Sequence, residues 1–232
     1  MRRDDPDALA LAPSASLPAS PRRVIDALGP LITVERLVRI DAVVGSRMRS
    51  VVPVLDALDG PHNVAAVLRT ADAFGLQEVH LIEGPNEFLA TRRITQGADR
   101  WLDLVRHPSP RACVSALRSR GYKVYVASME GTITPEQLGS VEKLAVVFGN
   151  EKIGVRGAMT DLFDERYAIP MQGFVESLNV SVAAAITLYS ATRGRKSDLT
   201  TEQRDELRAR FMLLSVPRAE EIIAEHLSRH GP

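Results

Sequence analysis

The middle of the chain alternates between continuous apolar runs and segments with helical periodicity. Runs that are apolar at nearly every position predict buried strands at VVPVLDAL (51–58), EVHLIE (78–83), WLDLVRH (101–107), YKVYVAS (122–128), LAVVFGN (144–150) and RYAIP (166–170). Strands of this kind, with helices between them, are typical of a parallel sheet covered on both faces. The predicted fold class is therefore α/β.

Helices are expected between these strands at residues 63–74, 109–121 and 179–193, with a weaker helical signal at 135–138. Asn63 and Ser109 are typical N-cap residues, because a short polar side chain can accept a hydrogen bond from a free amide of the first turn. Gly75 and Gly121 stand where the first two helices should end, since glycine readily adopts the left-handed conformation found there.

The two ends of the chain differ from this middle segment. Thr33 precedes a basic, periodic segment as a candidate N-cap, and Thr200 to Gln203 match a capping box. Residues 1 to about 28 are rich in Ala, Ser, Pro and charge, which is typical of a flexible tail. The predicted organisation is a flexible tail at 1–28, a basic helix within 29–50, an α/β domain at 51–196 and a helical extension at 197–232.

The composition excludes several classes of protein. Cys113 is the single cysteine, which excludes an internal disulfide and a cysteine-cluster metal site and fits a reducing compartment. The five histidines show no metal-ligand spacing, so we expect no metal. No apolar run reaches the ~20 residues of a membrane span, and acids and prolines interrupt the N-terminal segment where a signal peptide would need an apolar core. We therefore expect a cytoplasmic protein without a membrane partner.

Charge is balanced overall but not along the chain. The 29 basic and 29 acidic side chains cancel. Between Thr91 and Lys123, however, basic residues greatly outnumber the two aspartates, Asp99 and Asp103. Such local patches on a neutral chain suit a nucleic-acid-binding protein. Any solvated surface can also carry them, so charge alone does not decide between these interpretations.

One arginine in the helix at 63–74 stands apart from its apolar stripe. At about 100° per residue, Val64, Leu68 and Ala71 cluster on one side of the helix, and Arg69 falls roughly opposite. A surface arginine on an amphipathic helix is the ordinary interpretation. Because the helix directly follows a predicted parallel strand, its first turns should lie at the carboxyl edge of the sheet, where ligands of this fold class bind.

The turn after the strand at 144–150 is a second candidate. Gly149, Gly154 and Gly157 allow the backbone to approach a ligand closely. The segment lacks both the Gly-Lys-Ser/Thr of a P-loop and the G-x-G-x-x-G of a Rossmann loop, which disfavours binding of nucleotide phosphates. Glu151 is either an acid–base group or amine anchor, or a helix-start carboxylate on a surface loop, and this segment alone leaves both open.

The segment IPMQGFVESLNVSVAAAI (169–186) is the third candidate. A strand ends at Ile169, a polar loop follows, and Ser177 and Asn179 stand at the start of a helix lined with small residues. Asn179 would also make a good N-cap without any other role. The run of small residues predicts that another backbone packs very closely against this helix.

Taken together, NVAAVLRTADAFG (63–75), VVFGNEKIGV (146–155) and IPMQGFVESLNVSVAAAI (169–186) resemble the three motifs of the SpoU/TrmH branch of the SPOUT RNA 2′-O-methyltransferases. The resemblance covers about residues 50–195. It implies a parallel-sheet SPOUT fold with a C-terminal trefoil knot, flanked in this chain by the helical extensions. It also implies S-adenosylmethionine as the cofactor and a homodimer with each active site near the interface.

The resemblance further implies roles for individual residues. The positions that match the catalytic residues of the family motifs are Asn63, Arg69, Glu151, Ser177 and Asn179. The positions that match its cofactor contacts are Ser128, Met129, Gly149, Ile169, Ser177 and Leu178. A guanidinium is too basic to act as a free base. Arg69 is therefore expected to grip a phosphate and orient the ribose hydroxyl.

The basic N-terminal helix and the C-terminal helices around one catalytic domain, together with the segment VLDALDGPHNVAAVLRTADAFG (54–75), resemble the members of the family that methylate the guanosine at position 18 in the tRNA D-loop. Ribosomal-RNA members usually carry a larger folded N-terminal domain. The residues expected to meet tRNA phosphates are Arg36, Arg39, Arg47, Arg49, Arg193, Arg195 and Lys196. Two alternatives stay open, namely a 23S ribosomal RNA 2′-O-methyltransferase and a non-catalytic RNA-binding relative, and the intact motif residues argue against the latter.

Overall fold

The computed structural model of the chain describes residues 16–58, 60–82, 97–150, 154–155, 159 and 161–230, with Ala98 and His230 described by their backbone alone. These residues divide into two compact units. The larger unit comprises residues 49–195, and the smaller unit combines residues 16–48 with residues 196–230. The two segments that the sequence presents as separate extensions therefore belong to one structural unit.

The larger unit contains a six-stranded sheet within the described residues. The strands are β1 (Val51–Asp56), β2 (Glu78–Ile82), β3 (Asp103–His107), β4 (Lys123–Ala127), β5 (Leu144–Phe148) and β6 (Glu165–Tyr167). Their order is β3-β2-β1-β5-β4-β6, and every neighbouring pair is parallel. Every residue of β1, β2 and β5 is buried, as expected for strands covered on both faces. The predicted α/β class is confirmed, and each predicted strand is present.

The described α-helices are α1 (Pro21–Leu28), α2 (Val34–Ser46), α3 (Pro61–Ala73), α4 (Pro110–Ser119), α5 (Val180–Thr192), α6 (Thr201–Leu213) and α7 (Ala219–His230). No helix among these combines the length and the hydropathy needed to span a bilayer. In the larger unit, α3 begins earlier than the sequence predicts. Asn63 is not its N-cap, because the fixed φ of Pro61 suits the first helical position, and Gly60 precedes it with a φ of 85°. Gly75 follows the end of α3 with a φ of 76°, as predicted.

The predicted starts of the other two helices in the larger unit are confirmed. Ser109 caps α4 by accepting the backbone amide of Ala112 at 3.2 Å. Asn179 caps α5 by accepting the backbone amide of Ser181 at 2.9 Å. The weak helical signal at 135–138 corresponds to a short 3₁₀ turn at Gln137–Ser140.

The smaller unit is built from α1, α2, α6 and α7, with α1 packed against α6 and α7 and α2 packed against α6. The helix α1 shows that the prediction of a flexible tail is wrong for residues 21–28. Val24 and Leu28 lie four residues apart on one face of α1 and are fully buried, so the packing partners stabilise a helix here. Residues 1–15, the rest of the predicted tail, lie outside the described residues.

Two predicted helix caps in the smaller unit are confirmed. The side chain of Thr33 accepts the backbone amide of Arg36 at the start of α2. Thr200 and Gln203 form the expected capping box at the start of α6, each side chain accepting a backbone amide of the other residue. These helix starts are therefore encoded locally.

The strand order of the sheet reverses between β1 and β5. The strands β2 and β3 lie on one side of β1, whereas β5, β4 and β6 lie on the other. In open parallel sheets, ligands bind at the carboxyl ends of the strands beside such a reversal. The carboxyl ends of β1 and β5 are accordingly the place to look for a functional site.

Candidate active site

Asn150 joins the carboxyl ends of β1 and β5. Its side-chain Nδ2 donates a hydrogen bond of 3.0 Å to the backbone oxygen of Ala57, the residue that follows β1. Ala57 has a φ of 52°, in the left-handed region that residues other than glycine seldom adopt. Asn150 was not among the predicted site residues. The signal that could have identified it is a polar residue two positions after the fully apolar strand β5.

Gly149 lies where two backbone segments meet. A Cβ atom on Gly149 would lie 2.4 Å from the backbone carbonyl carbon of Gly154, far inside ordinary van der Waals contact. Gly149 therefore lies against the backbone of its own turn, and its close approach to a ligand stays a prediction. Glu151 and Gly157, also singled out in this turn, lie outside the described residues.

The carboxyl ends of β4 and β6 are fastened by backbone contacts. The amide of Ser128 donates to the backbone oxygen of Tyr167 at 2.9 Å. A Cβ atom on Gly131 would lie 2.2 Å from the carbonyl carbon of Tyr167, so the loop after β4 follows the end of β6 tightly. Ser128 and Ile169, two of the predicted cofactor contacts, consequently lie at the same edge of the sheet.

The first and third motifs meet through two asparagines. Nδ2 of Asn179 donates to Oδ1 of Asn63 at 3.2 Å, although the two residues are 116 positions apart in the sequence. The helices that carry them, α3 and α5, pack against each other, and the rings of Phe74 and Tyr189 lie 5.8 Å apart in a tilted contact. Asn63 therefore connects two motifs and does not cap its helix.

Arg69 lies on the exposed side of α3, as its position in the sequence pattern predicts. The residues on the opposite side, among them Val64, Leu68 and Ala71, are buried. Within the part of the chain that the structure describes, the Arg69 guanidinium has no hydrogen-bond or ion-pair partner. Its donors are thus available for a ligand.

Two of the arginines predicted to contact tRNA are engaged inside the protein. Arg47 is only 1% exposed, and its guanidinium lies over the ring of Phe211. The prediction is wrong for Arg47, because burial keeps its charge away from any phosphate. Arg49 forms ion pairs with Glu78 at 2.9 Å and with Asp103 at 2.5 Å. These acids begin β2 and β3, so Arg49 lies at the amino edge of the sheet, opposite to the candidate site.

Arg195 is also engaged internally. Its guanidinium donates to the backbone oxygens of Ala191, Val141 and Gly139, among others, and so fastens the end of α5 to the segment before β5. The prediction that Arg195 binds an RNA phosphate is therefore wrong, because its donors are already bonded to backbone oxygens. The predicted RNA-binding residues that stay exposed are Arg36, Arg39, Arg193 and Lys196.

A buried polar network that the sequence does not predict lies on β2 and β3. His80 Nδ1 and His107 Nε2 are 2.7 Å apart, and His80 Nε2 lies 2.6 Å from Oε1 of Glu78. Burial and the neighbouring His80, opposed by the charge of Glu78, lower the pKa of His107 to about 4. Burial by itself raises the pKa of Glu78, but the hydrogen bonds and charges of His80 and Arg120 bring it well below its usual range.

Cys113 lies beside these two histidines. One ligand atom from each of His80, His107 and Cys113 falls within 4.8 Å of the others. Both ring nitrogens of His80 already face His107 and Glu78, so the geometry is that of a hydrogen-bonded network. Burial, with the nearby charge of Asp56, raises the pKa of the Cys113 thiol to about 12, which leaves the thiol neutral.

Comparison with known proteins gives a family model and curated relatives. The model of the SpoU rRNA Methylase family matches residues 50–189. The tRNA (guanosine(18)-2'-O)-methyltransferase of Borreliella burgdorferi is 33% identical over 177 residues, which cover 75% of this chain and 81% of the relative. The 23S rRNA (guanosine(2553)-2'-O)-methyltransferase RlmP of Bacillus subtilis is 36% identical over 137 residues, which cover 58% of this chain and 55% of the relative.

Two solved structures are also similar. The TrmH/SpoU tRNA modifying enzyme of A. aeolicus superposes with a TM-score of 0.71 at 25% identity, covering 79% of this chain and 98% of that chain. The SpoU methyltransferase AviRb from Streptomyces viridochromogenes, in complex with the cofactor AdoMet, superposes with a TM-score of 0.56 at 26% identity, covering 63% of this chain and 58% of that chain. The first similarity extends over most of the chain.

Proposed function

Because the chain belongs to the SpoU rRNA Methylase family, we propose that it transfers a methyl group from S-adenosylmethionine to a ribose 2′-hydroxyl of RNA. The proposed substrate is the guanosine at position 18 in the tRNA D-loop, the guanosine for which the Borreliella burgdorferi relative is named. The observation that carries the proposal is the hydrogen bond between Asn63 and Asn179, because it joins two separate family motifs at one place.

The carboxyl edge of the sheet carries residue types that suit this cofactor. Ile169 and Leu178 are half-buried and are proposed to offer apolar surface to a purine ring, and Ser177 is exposed. When bound, S-adenosylmethionine supplies an electrophilic methyl group on its sulfonium. The residues proposed to hold it are Ser128, Met129, Gly149, Ile169, Ser177 and Leu178.

Arg69 is the residue proposed to orient the ribose hydroxyl. A hydroxyl is a poor nucleophile, so its oxygen must be aimed at the methyl carbon and its proton must leave. A guanidinium remains charged and donates hydrogen bonds, so Arg69 holds the adjacent phosphate and the hydroxyl oxygen while the phosphate helps to remove the proton. Helical side chains lean towards the N-terminus, so that of Arg69 extends towards the end of α3 that carries Asn63, about 9 Å away along the axis.

The substitution Arg69→Lys tests this role. Lysine keeps the charge but loses the planar fork that grips a phosphate in two places, so turnover should fall by about 100-fold or more. The dissociation constant for S-adenosylmethionine, measured by calorimetry, should stay nearly unchanged. Arg111→Lys, at an exposed position on α4, is the matched control. Normal turnover of Arg69→Lys would remove Arg69 from the mechanism.

A ribosomal RNA substrate is the second candidate, favoured by the 36% identity to RlmP of Bacillus subtilis. Incubation of the protein with total RNA and labelled S-adenosylmethionine, followed by mapping of methylated riboses, separates the two. Label at a D-loop guanosine of tRNA supports the proposed function, and label confined to 23S ribosomal RNA supports the alternative. Absence of both transfer and cofactor binding would indicate a non-catalytic RNA-binding relative.

Binding of tRNA is proposed to involve the exposed residues Arg36, Arg39, Arg193 and Lys196. Contacts with phosphates release counterions and carry no sequence information. Alanine at each position should therefore weaken binding of all tRNAs alike and reduce its salt dependence. Arg229→Ala is the control, since Arg229 pairs with Glu225. Unchanged binding at low salt would remove the substituted residue from the interface.

We also propose that two copies of the chain pair through α5. Val182, Ile186 and Tyr189 form an exposed apolar stripe on this helix, and Phe174 in the loop before it is fully exposed. A second copy would cover this patch with the same patch of its own, as in a two-fold interface. Light scattering should give a dimer for the wild type and a monomer for Ile186→Glu, with Val38→Glu on α2 as the control. A monomeric wild type at micromolar concentration would contradict the proposal.

Three family expectations accompany this function. They are the trefoil knot in the C-terminal part of the α/β domain, action in the cytoplasm and a reaction that needs no metal. The last is tested simply, because methyl transfer should persist in the presence of a chelator such as EDTA.

A further inference from the structure

The geometry points to Asn150 as a positioning residue for methyl transfer. Asn150 does not belong to the groups proposed to touch the substrate or the cofactor. It holds Ala57, the residue that follows β1, in a backbone conformation that Ala57 would not keep alone. Through that backbone it sets the place at which α3 begins, and with it the positions of Asn63 and Arg69.

The contacts of Asn150 tie three strands together. Its Nδ2 donates to the oxygen of Ala57 at 3.0 Å, and its backbone oxygen accepts the amide of Gly154 at 2.8 Å. The amide of Ala57 in turn donates to the backbone oxygen of Ile82, the last residue of β2, at 3.3 Å. Ala57 is thus held on both sides, by β2 through its amide and by the turn after β5 through its oxygen. Asn150 is buried, with 8% of its surface exposed, so water does not readily replace its hydrogen bond.

The backbone at Ala57 needs this support. Its φ of 52° brings Cβ close to its own backbone, a conformation that persists only where surrounding contacts enforce it. Arg218 is the other described residue besides glycine with a positive φ, at 57°, and it lies in the smaller unit. Loss of the Asn150 hydrogen bond should therefore let Ala57 relax to a negative φ.

Such a relaxation would displace the side chains that are proposed to take part in the reaction. Pro61 begins α3 four residues after Ala57, and its ring fixes φ at the first residue of the helix, which leaves that residue little freedom to absorb a change of direction. The start of α3 would then shift, and Asn63 would lose its geometry towards Asn179. A displacement of about 1 Å of a catalytic group can lower a rate by about 100-fold. This inference rests on the proposed roles of Asn63 and Arg69.

The test is a cycle of substitutions on the full chain. In Asn150→Ala and Asn150→Asp, kcat should fall by about 10-fold or more, while the KM values for S-adenosylmethionine and tRNA change by less than about threefold. Aspartate keeps the volume of asparagine but cannot donate to the Ala57 oxygen when it is ionised. Adding Ala57→Gly to Asn150→Ala should restore kcat by about threefold or more, because glycine adopts a positive φ without steric cost.

The matched control adds Arg218→Gly to Asn150→Ala. This change gives the same backbone freedom at the other positive-φ position, and it should restore nothing. If Asn150→Ala does not fold, the same two additions are compared in Asn150→Asp. Wild-type kcat in Asn150→Asp, or recovery from Ala57→Gly no larger than from Arg218→Gly, would overturn the inference. Normal turnover in Arg69→Lys would instead refute the proposed role of Arg69. The comparison of the Asn150 variants could still be interpreted in that case.

Discussion

The buried histidine pair predicts that mild acid destabilises the larger unit. His107 is buried beside His80, and its pKa is lowered from 6.5 to about 4 in the folded protein. At pH values between about 4 and 6.5, the unfolded chain binds a proton at His107 that the folded chain does not bind. Stability therefore falls as the pH falls from about 7 towards 4. Below pH 4.5 the lowered pKa of Glu78 adds a further loss of the same sign.

The size of the effect follows from linkage between protonation and folding. With pKa values of 6.5 in the unfolded chain and about 4 in the folded chain, His107 removes about 2 kcal/mol of stability between pH 7 and pH 4.5. This pH range keeps the measurement above the region in which Glu78 dominates. A loss of this size is a large share of the ~5–15 kcal/mol that stabilises a typical domain.

The assay is denaturant unfolding followed by fluorescence of the single tryptophan, Trp101, which lies in the larger unit. The comparison is between the wild type and His107→Gln, which offers His80 an amide group in place of the imidazole but does not titrate. From pH 7 to pH 4.5 the wild type should lose about 2 kcal/mol more than the variant. The exposed His62→Gln serves as the control. Equal losses in wild type and His107→Gln would refute the reasoning.

Three further outcomes are expected. Gly149→Ala should cost about 1–3 kcal/mol and weaken binding of S-adenosylmethionine in calorimetry, because its Cβ would lie 2.4 Å from the backbone of Gly154; unchanged affinity would contradict the placement of the cofactor at this edge. Arg195→Met should lower the unfolding free energy by about 2 kcal/mol or more, since it leaves backbone oxygens without donors, whereas Lys196→Met should change it by less than about 0.5 kcal/mol. Thr200→Ala should cost about 1 kcal/mol through loss of the capping box, measured as a shift in the denaturant midpoint, and no shift would show that the box does not stabilise α6.

Local sequence determined much of the fold. Each strand follows from a short apolar run, and Ser109, Asn179 and Thr200 mark helix starts because a cap depends only on the residues of the first turn. The exposure of Arg69 follows from the same logic, since one helix turn places it opposite to its buried neighbours. Three separated motifs were enough to indicate the family.

The environment of individual side chains could be known only from the tertiary structure. Arg47 carries the same charge as the exposed Arg39 in the same periodic segment, and only the packing of Phe211 decides that Arg47 is buried. The sequence predicts a tail for the residues of α1 because they follow a segment rich in Ala, Ser and Pro, and because eight residues make only a short helix. They form a helix because α6 and α7 supply the surface that buries them.

The site itself depends on the order of the strands. The sequence by itself determined which residues follow each strand, since that information is local. Placement of β5 beside β1 brings Asn150 to Ala57, and packing of α5 on α3 brings Asn179 to Asn63. These contacts join residues that are far apart in the chain, and hydrogen bonds act only over a few ångströms. Which partners meet was therefore decided by the tertiary structure alone.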